Sequence, residues 1–361
     1  MYKIMKLATF AFGILFISGG CATTKTQLTP IDKEQVEREK QKQRQLWMQT
    51  HLQEQQKLDN IAFPILKNGI SLCDEDTTQF AGIRYANAYA FEDEWHEAAI
   101  EGLGLNDSLK LTGVVVGSGA HKAGLRPGDY IRQIGKRQIT PGKDAIKQIT
   151  NWFDSFGESG KNEFPIQYQR DGQLYESVIK TDKICDYPVS VVQEGGLNAF
   201  ADGNTIYVTS AMMRFTSDEE LTVIVAHEFA HNSMGHIDAK KKNALAGALL
   251  GALGDVTMAS YGVDTGGYYT SQFASLGSQV HSQDFEREAD HVGLYALALA
   301  GLPLESAPLL WRHMAMANPE SIALAHSHPT SAERFVRMEQ TIEEIKRKIQ
   351  EGKELFPNMK E

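Results

Sequence analysis

The chain has 361 residues, 42% of them hydrophobic, and a formal net charge of -10. That is enough sequence for about two globular domains with ordinary cores. The acidic balance, with no basic stripe long enough to neutralise a phosphate backbone, argues against nucleic acid as a partner.

The N-terminus is not expected to join the fold. Lys3 and Lys6 precede the apolar run LATFAFGILFI, which is too short to span a bilayer as a mature helix, and SGGC follows. Residues 1–20 resemble a bacterial lipoprotein signal peptide, and the small residues before Cys21 resemble a lipobox, with Ser18 where such boxes usually carry Leu. The resemblance implies that Cys21 is lipidated and becomes the first mature residue; cleavage elsewhere, leaving Cys21 unacylated, is the alternative. Ala22 is not the aspartate that retains many such lipoproteins in the inner membrane. The expected location is therefore the periplasm of a Gram-negative bacterium, anchored to the outer membrane.

Residues 21–77 read as a tether and an N-terminal helix over 31–68, in which Leu58, Ile61, Ala62, Ile65 and Leu66 recur at helical spacing after the charged stretch EREKQKQRQ. Cys73 and Cys185 remain in an oxidising compartment and enclose a segment of different character. A disulfide between them would pin that segment's ends together, the alternative being two buried thiols.

Residues 78–183 change to short β-rich runs punctuated by glycine. GVVVGSGAHKAGLRPGDYIRQIGKRQI resembles a bacterial PDZ domain: strand, small-residue turn, short helix ending at A-G-L, then the R-P-G-D turn into the next strand. Asp171-Gly172 marks a hairpin. GLGL at 102–105 is the candidate loop for a peptide carboxylate, with DAIKQITNWFDSF as the helix bordering the groove, unless the module is an inert spacer.

Residues 184–361 read as strand, hairpin, then helices. SVVQ, NAFA and TIYVTSAMM surround the turn dipeptide Asp202-Gly203. Ser217 and Glu220 form a capping box that starts a helix carrying LTVIVAHEFAHNSM and ending at Gly235. Residues 243–282, rich in Gly, Ala, Ser and Tyr, are expected to form short helices and a mobile lid, or plain connecting structure. A further helix carries FEREADHVGLYALALAG and ends at Gly301, and a last one starts from a second capping box at Thr330 and Glu333.

H-E-x-x-H at 227–231 places His227 and His231 one turn apart on one helical face, where both imidazoles converge on one ion. Glu228 beside them is then the general base. His236 is displaced from the position at which a third histidine ligand would be expected, and reads as structural. Glu286 and Asp290 lie four apart on one face of the later helix; one is suited to ligate a metal and the other to accept the N–H of a ligand histidine. Glu288 reads as a surface acid.

NAFADGNTIYVTSAMM, HEFAHNSMGH, EREAD and HPTSAERF, in that order, resemble the gluzincin zinc metallopeptidases that include HtpX and the CAAX prenyl proteases, and within them the BepA-like periplasmic lipoprotein branch with a PDZ domain. The resemblance implies an α+β fold: a mainly helical gluzincin metallopeptidase core with a small β-sheet, plus an inserted β-rich PDZ domain. It implies one Zn2+ per chain held by His227, His231 and Glu286, with Glu228 as base and Asp290 orienting a ligand. His328 is implied either as an occasional fourth ligand or as a hydrogen-bond donor, with His326 the weaker candidate. Asn198, Ala199 and Phe200 are implied as the strand that holds substrate, and Arg334 as a substrate-binding group. The implied function is a membrane-anchored endopeptidase cleaving misassembled or damaged envelope proteins, with peptide tails at the PDZ groove. The contrasting expectation is a chaperone or assembly scaffold with a closed metal site.

Overall fold

The computed structural model describes residue 26 and residues 29–92, 94–261, 263–279, 282–317 and 332–358. The chain divides into two compact units, Met1–Gln41 and Lys42–Glu361. The first holds the charged opening of helix α1 (Lys33–Asn68), with surface ion pairs Arg38–Glu34 and Lys40–Glu37.

In the second unit, the apolar stripe of α1 that begins at Leu58 enters the main core with Leu72 and Cys73. The chain then leaves that core through strand β1 (Thr77–Phe80) and builds a separate body: β2 (Ile83–Ala86), α2 (Glu94–Leu103), β3 (Lys110–Val114), α3 (Gly119–Lys122), β4 (Tyr130–Ile134), β5 (Arg137–Gln138), α4 (Ala145–Glu158), β6 (Glu163–Arg170) and β7 (Gln173–Lys180). Its sheet runs β2-β3-β4-β6-β7, with β5 paired to β4. Its core, from Ala81 to Ile179, includes Leu109, Leu111, Ile131, Ile149 and Ile166. Return is through β8 (Asp182–Cys185), which pairs antiparallel with β1 from Thr77↔Cys185 to Phe80↔Asp182. The outgoing and incoming strands thus form a neck, and a Cys73–Cys185 disulfide joins their host-side ends.

Side chains of α1 lock this body in place. Gln56 exchanges hydrogen bonds with both N–H and C=O of Val114, Val116 N–H donates to Asn60, Arg84 is paired with buried Asp59, and Lys67 donates to Asp182 at 2.6 Å. GLGL does not adjoin a free edge of the sheet. Gly102–Leu105 closes α2, with Leu105 N–H bonded to Ala99 O, and it feeds β3, which is flanked on both sides. The edge strands are β2 and β7, and Tyr85 on β2 reaches Thr150 of α4 across 3.4 Å.

The remainder is β9 (Val189–Val192), β10 (Ala199–Ala201), β11 (Ile206–Thr209), then helices α5 (Ser210–Phe215), α6 (Asp218–Ser233), α7 (His236–Ser260), α8 (Tyr268–Gln279), α9 (Ser282–Leu299), α10 (Ser306–Ala317) and α11 (Ala332–Gln350). Residues 243–282 are not a set of short helices: α7 alone has 25 residues. Several glycines of this stretch are contact points. A Cβ at Gly247, Gly251 or Gly277 would fall 2.0 to 2.2 Å from a carbonyl oxygen of the facing helix, so α7 and α8 pack antiparallel, backbone to backbone. Alanine and leucine between the glycines sustain the helix. No helix among the described residues is long and apolar enough to cross a membrane.

Because the disulfide closes a separation of 112 residues, loop entropy gives it a contribution of about 3 to 5 kcal/mol. Cys73→Ser with Cys185→Ser is expected to lower the unfolding free energy in urea by about that amount. A loss below about 1 kcal/mol would mean that the β1–β8 ladder closes the neck unaided.

Candidate metal centre

Helix α6 is set by its N-terminus. Ser217 accepts from Glu220 N–H and Glu220 accepts from Ser217 N–H, a complete capping box. Asp218, Glu219 and Glu220 put negative charge at the positive end of the helix. The other oxygen of Glu220 lies 2.8 Å from His313 Nδ1 on α10. The helix then buries every residue from Val223 to Asn232, so His227, Glu228 and His231 sit in the interior.

Helix α9 supplies the acids. It reaches α6 closely because Gly293 faces the Ala226–His227 backbone, where a Cβ would lie 3.0 Å from Ala226 O. At that approach Glu286 Oε2 is 3.3 Å from His227 Nε2, Glu286 Oε1 is 3.4 Å from His231 Nε2, and the two Nε2 atoms are 3.2 Å apart. A tetrahedral ion with ligands at about 2.0–2.1 Å requires donor atoms about 3.3–3.4 Å apart. The three buried groups therefore fit a metal ion by spacing, and two imidazoles with one carboxylate are the donor chemistry that holds zinc.

Behind His227 stands Asp290, with Oδ1 3.0 Å from Nδ1. Arg334 of α11 grips Asp290 with both Nε and a terminal nitrogen, at 2.6 and 2.7 Å. Burial pushes the Asp290 carboxyl up, but the Arg334 guanidinium and the His227 ring hold it below its ordinary range. Burial likewise opposes charging of His227, but Asp290 and Glu286 outweigh it and raise the imidazole to about 9. Trp311 of α10 sets its ring edge-on to His227, and the Arg334 guanidinium lies over the same indole, 4.4 Å from its centre. Arg334, expected among substrate-binding groups, is instead buried and committed to Asp290, with a second nitrogen 3.8 Å from Glu286.

Behind His231 the arrangement differs from the sequence reading. Gly235, at φ 64°, ends α6 and redirects the chain, so that α7 begins with His236 turned back toward the site. His236 Nδ1 is 2.9 Å from His231 Nδ1, and its Nε2 is 2.9 Å from Glu288 Oε2. Glu288 is thus no idle surface acid, and His236 is more than structural filling. Helical-face geometry correctly separates Glu288 from Glu286, but it says nothing of a residue arriving from a third helix.

Strand β10 carries Ala199 and Phe200, with Asn198 just before it, and pairs antiparallel with β11 in the order β10-β11-β9. The outer edge of β9 is closed by Gln55 of α1, whose amide donates to Val189 O and accepts from Val191 N–H as a neighbouring strand would. Among the described residues no strand pairs with the outer edge of β10. Asn232, the residue after His231, accepts from Gly203 N–H in the β10–β11 turn at 2.9 Å and so ties that strand to the metal helix. Gln55, Asn232 and Trp311 carried no sequence signal, because each acts only through a contact distant along the chain. Cys21, Thr330, His326 and His328 lie outside the described residues.

Residues 169–342 match the model of peptidase family M48. Among curated proteins, the chain is 30% identical over 154 residues to the beta-barrel assembly-enhancing protease of Yersinia pestis and 28% identical over 154 residues to that of Escherichia coli K12, in each case 39% of this chain and 32% of the relative. The chain thus spans about a third of the length of these relatives. Among solved structures it is similar to an HtrA-type protease, AlgW with decapeptide, at 20% identity and a TM-score of 0.23, covering 30% of each chain.

His227→Ala and Glu286→Ala are each expected to abolish stoichiometric metal binding, while Asp290→Asn lowers affinity by about 10 to 100 fold by releasing the His227 ring. If Arg334 acts through Asp290, adding Arg334→Met to Asp290→Asn brings little further loss. Chelator competition on the four proteins measures this, and independent, additive losses would separate Arg334 from Asp290.

Proposed function

We propose that the chain is a zinc-dependent endopeptidase of the bacterial envelope, anchored at the outer membrane through lipidated Cys21 and acting in the periplasm on misassembled or damaged envelope proteins; the match of residues 169–342 to the model of peptidase family M48 supports this reading. The observation that carries the reading is the set of two imidazoles and one carboxylate at tetrahedral edge distances, with Glu228 buried next to the first ligand. The names of the relatives, beta-barrel assembly-enhancing proteases, support an envelope substrate.

His227, His231 and Glu286 would hold a zinc ion, which when bound would activate a water and polarise a peptide carbonyl. Glu228 takes the proton of the attacking water and returns it to the leaving amine, which is general base followed by general acid work by one carboxylate. Asp290 and Arg334 hold His227 so that its Nε2 lone pair faces the ion. The open edge of β10 accepts an extended substrate by adding a strand along Asn198, Ala199 and Phe200, with Ala199 turning its backbone groups outward. His328 belongs in this reading as a fourth ligand or as a donor beside the attacked carbonyl.

The body between β1 and β8 is read as a PDZ module that recruits or gates substrates. Its edge strand β2, with α4 alongside, supports peptide addition there. Two paired connecting strands, the disulfide and the hydrogen bonds from α1 hold it in one orientation to the peptidase, which favours delivery of a tail over a tethered search.

Glu228→Gln is expected to keep wild-type zinc content and to reduce cleavage of an unfolded envelope protein by at least about a thousandfold, because water activation is lost while the ligands stay. Paired measurement of bound zinc and fragment release checks it. Zinc bound equally by both proteins with no cleavage by either would favour the scaffold reading.

A further inference from the structure

His227 and His231 face the same ion, yet their rings are held from behind by different devices. His227 meets a carboxylate directly, Asp290, itself clamped by Arg334. His231 meets another imidazole. We propose that His236 and Glu288 form a positioning relay for His231, fixing its tautomer and ring plane as a metal ligand; this rests on the metallopeptidase reading of the site.

The hydrogen-bond chain runs His231 Nδ1 to His236 Nδ1 at 2.9 Å, then His236 Nε2 to Glu288 Oε2 at 2.9 Å. One proton arrangement satisfies every contact. A carboxylate accepts, so His236 carries its proton on Nε2 and donates to Glu288. His236 Nδ1 is then a lone pair and accepts from His231 Nδ1–H. That leaves the lone pair of His231 on Nε2, the atom that lies 3.4 Å from Glu286 Oε1 and 3.2 Å from His227 Nε2. Reversing any one step puts a proton where the ion must bind or sets two lone pairs against each other. The acid at the surface thus selects the tautomer of a ligand two rings away.

Packing makes the relay rigid. His236 is 1% exposed and its ring stacks on Phe285, the residue before Glu286, with centres 4.8 Å apart. Phe285, Glu286 and Glu288 all lie on α9, so one helix supplies a ligand, the stacking surface and the end of the relay. Glu288 has 47% of its side chain exposed, so it can be changed with little disturbance to the core.

The test uses the full chain with metal affinity as the readout. His236→Phe keeps a ring of similar size against Phe285 and removes both nitrogens. It is expected to weaken zinc binding by about 10 to 100 fold in chelator competition and to shift the visible absorption bands of the cobalt-loaded protein. Glu288→Ala should weaken binding by about tenfold, and Glu288→Gln, which still accepts from His236, should recover most of that loss. Wild-type affinity and unchanged cobalt bands in both His236→Phe and Glu288→Ala would overturn the relay. A wild-type chain that takes up neither metal, or a His227→Ala chain that binds as tightly as wild type, would instead remove the metallopeptidase reading and the relay with it.

Discussion

Two imidazoles and two carboxylates buried between α6 and α9 can remain there only if each is matched, because an unpaired buried charge costs several kcal/mol. The surroundings are arranged by that constraint. Arg334 is brought from α11 to neutralise Asp290, Trp311 of α10 covers both Arg334 and His227, and His236 from α7 satisfies the far side of His231. Five helices are thereby committed to one site, and their relative positions are set by its polar contacts as much as by apolar packing. Gly293 is the steric condition for it all, since any larger residue would hold α9 away from the His227 backbone.

The same pairing logic extends outward. Glu220 completes the cap of the metal helix and also meets His313, so the start of α6 is fixed to the helix that carries Trp311. Asn232 fixes the other end of α6 to the β10–β11 turn. The small sheet is closed on one side by Gln55 and open on the other, which leaves β10 as the strand where an extended chain has backbone groups to meet. Rigidity from cap to turn serves a site in which a displacement of about 1 Å would undo the donor spacing that a tetrahedral ion needs.

How much of this was legible follows from how local each signal is. His227 and His231 were readable because a spacing of four on a capped helix fixes their common face, and Glu228 because it stands next to the first of them in H-E-x-x-H. Glu286 and Asp290 were readable for the same reason. The hairpin at Asp202-Gly203 and the strand at 199 were given by turn chemistry. Arg334 was read as a substrate-binding group, because nothing in the sequence tells that α11 brings it against Asp290 on α9. Glu288 and His236 were dismissed on helical-face grounds, which hold within one helix and fail where Gly235 bends the chain into the next. The length of α7 was not read, since the value of its glycines as contact points exists only once α8 lies against them.

The central claim is that the folded chain presents a preformed two-nitrogen, one-oxygen metal site. X-ray absorption at the zinc edge of the loaded wild-type protein tests it most directly. The account predicts one ion per chain, with two imidazole nitrogens and light oxygen ligands at about 2.0–2.1 Å. Sulfur at about 2.3 Å, or fewer than two imidazoles around the ion, would contradict it.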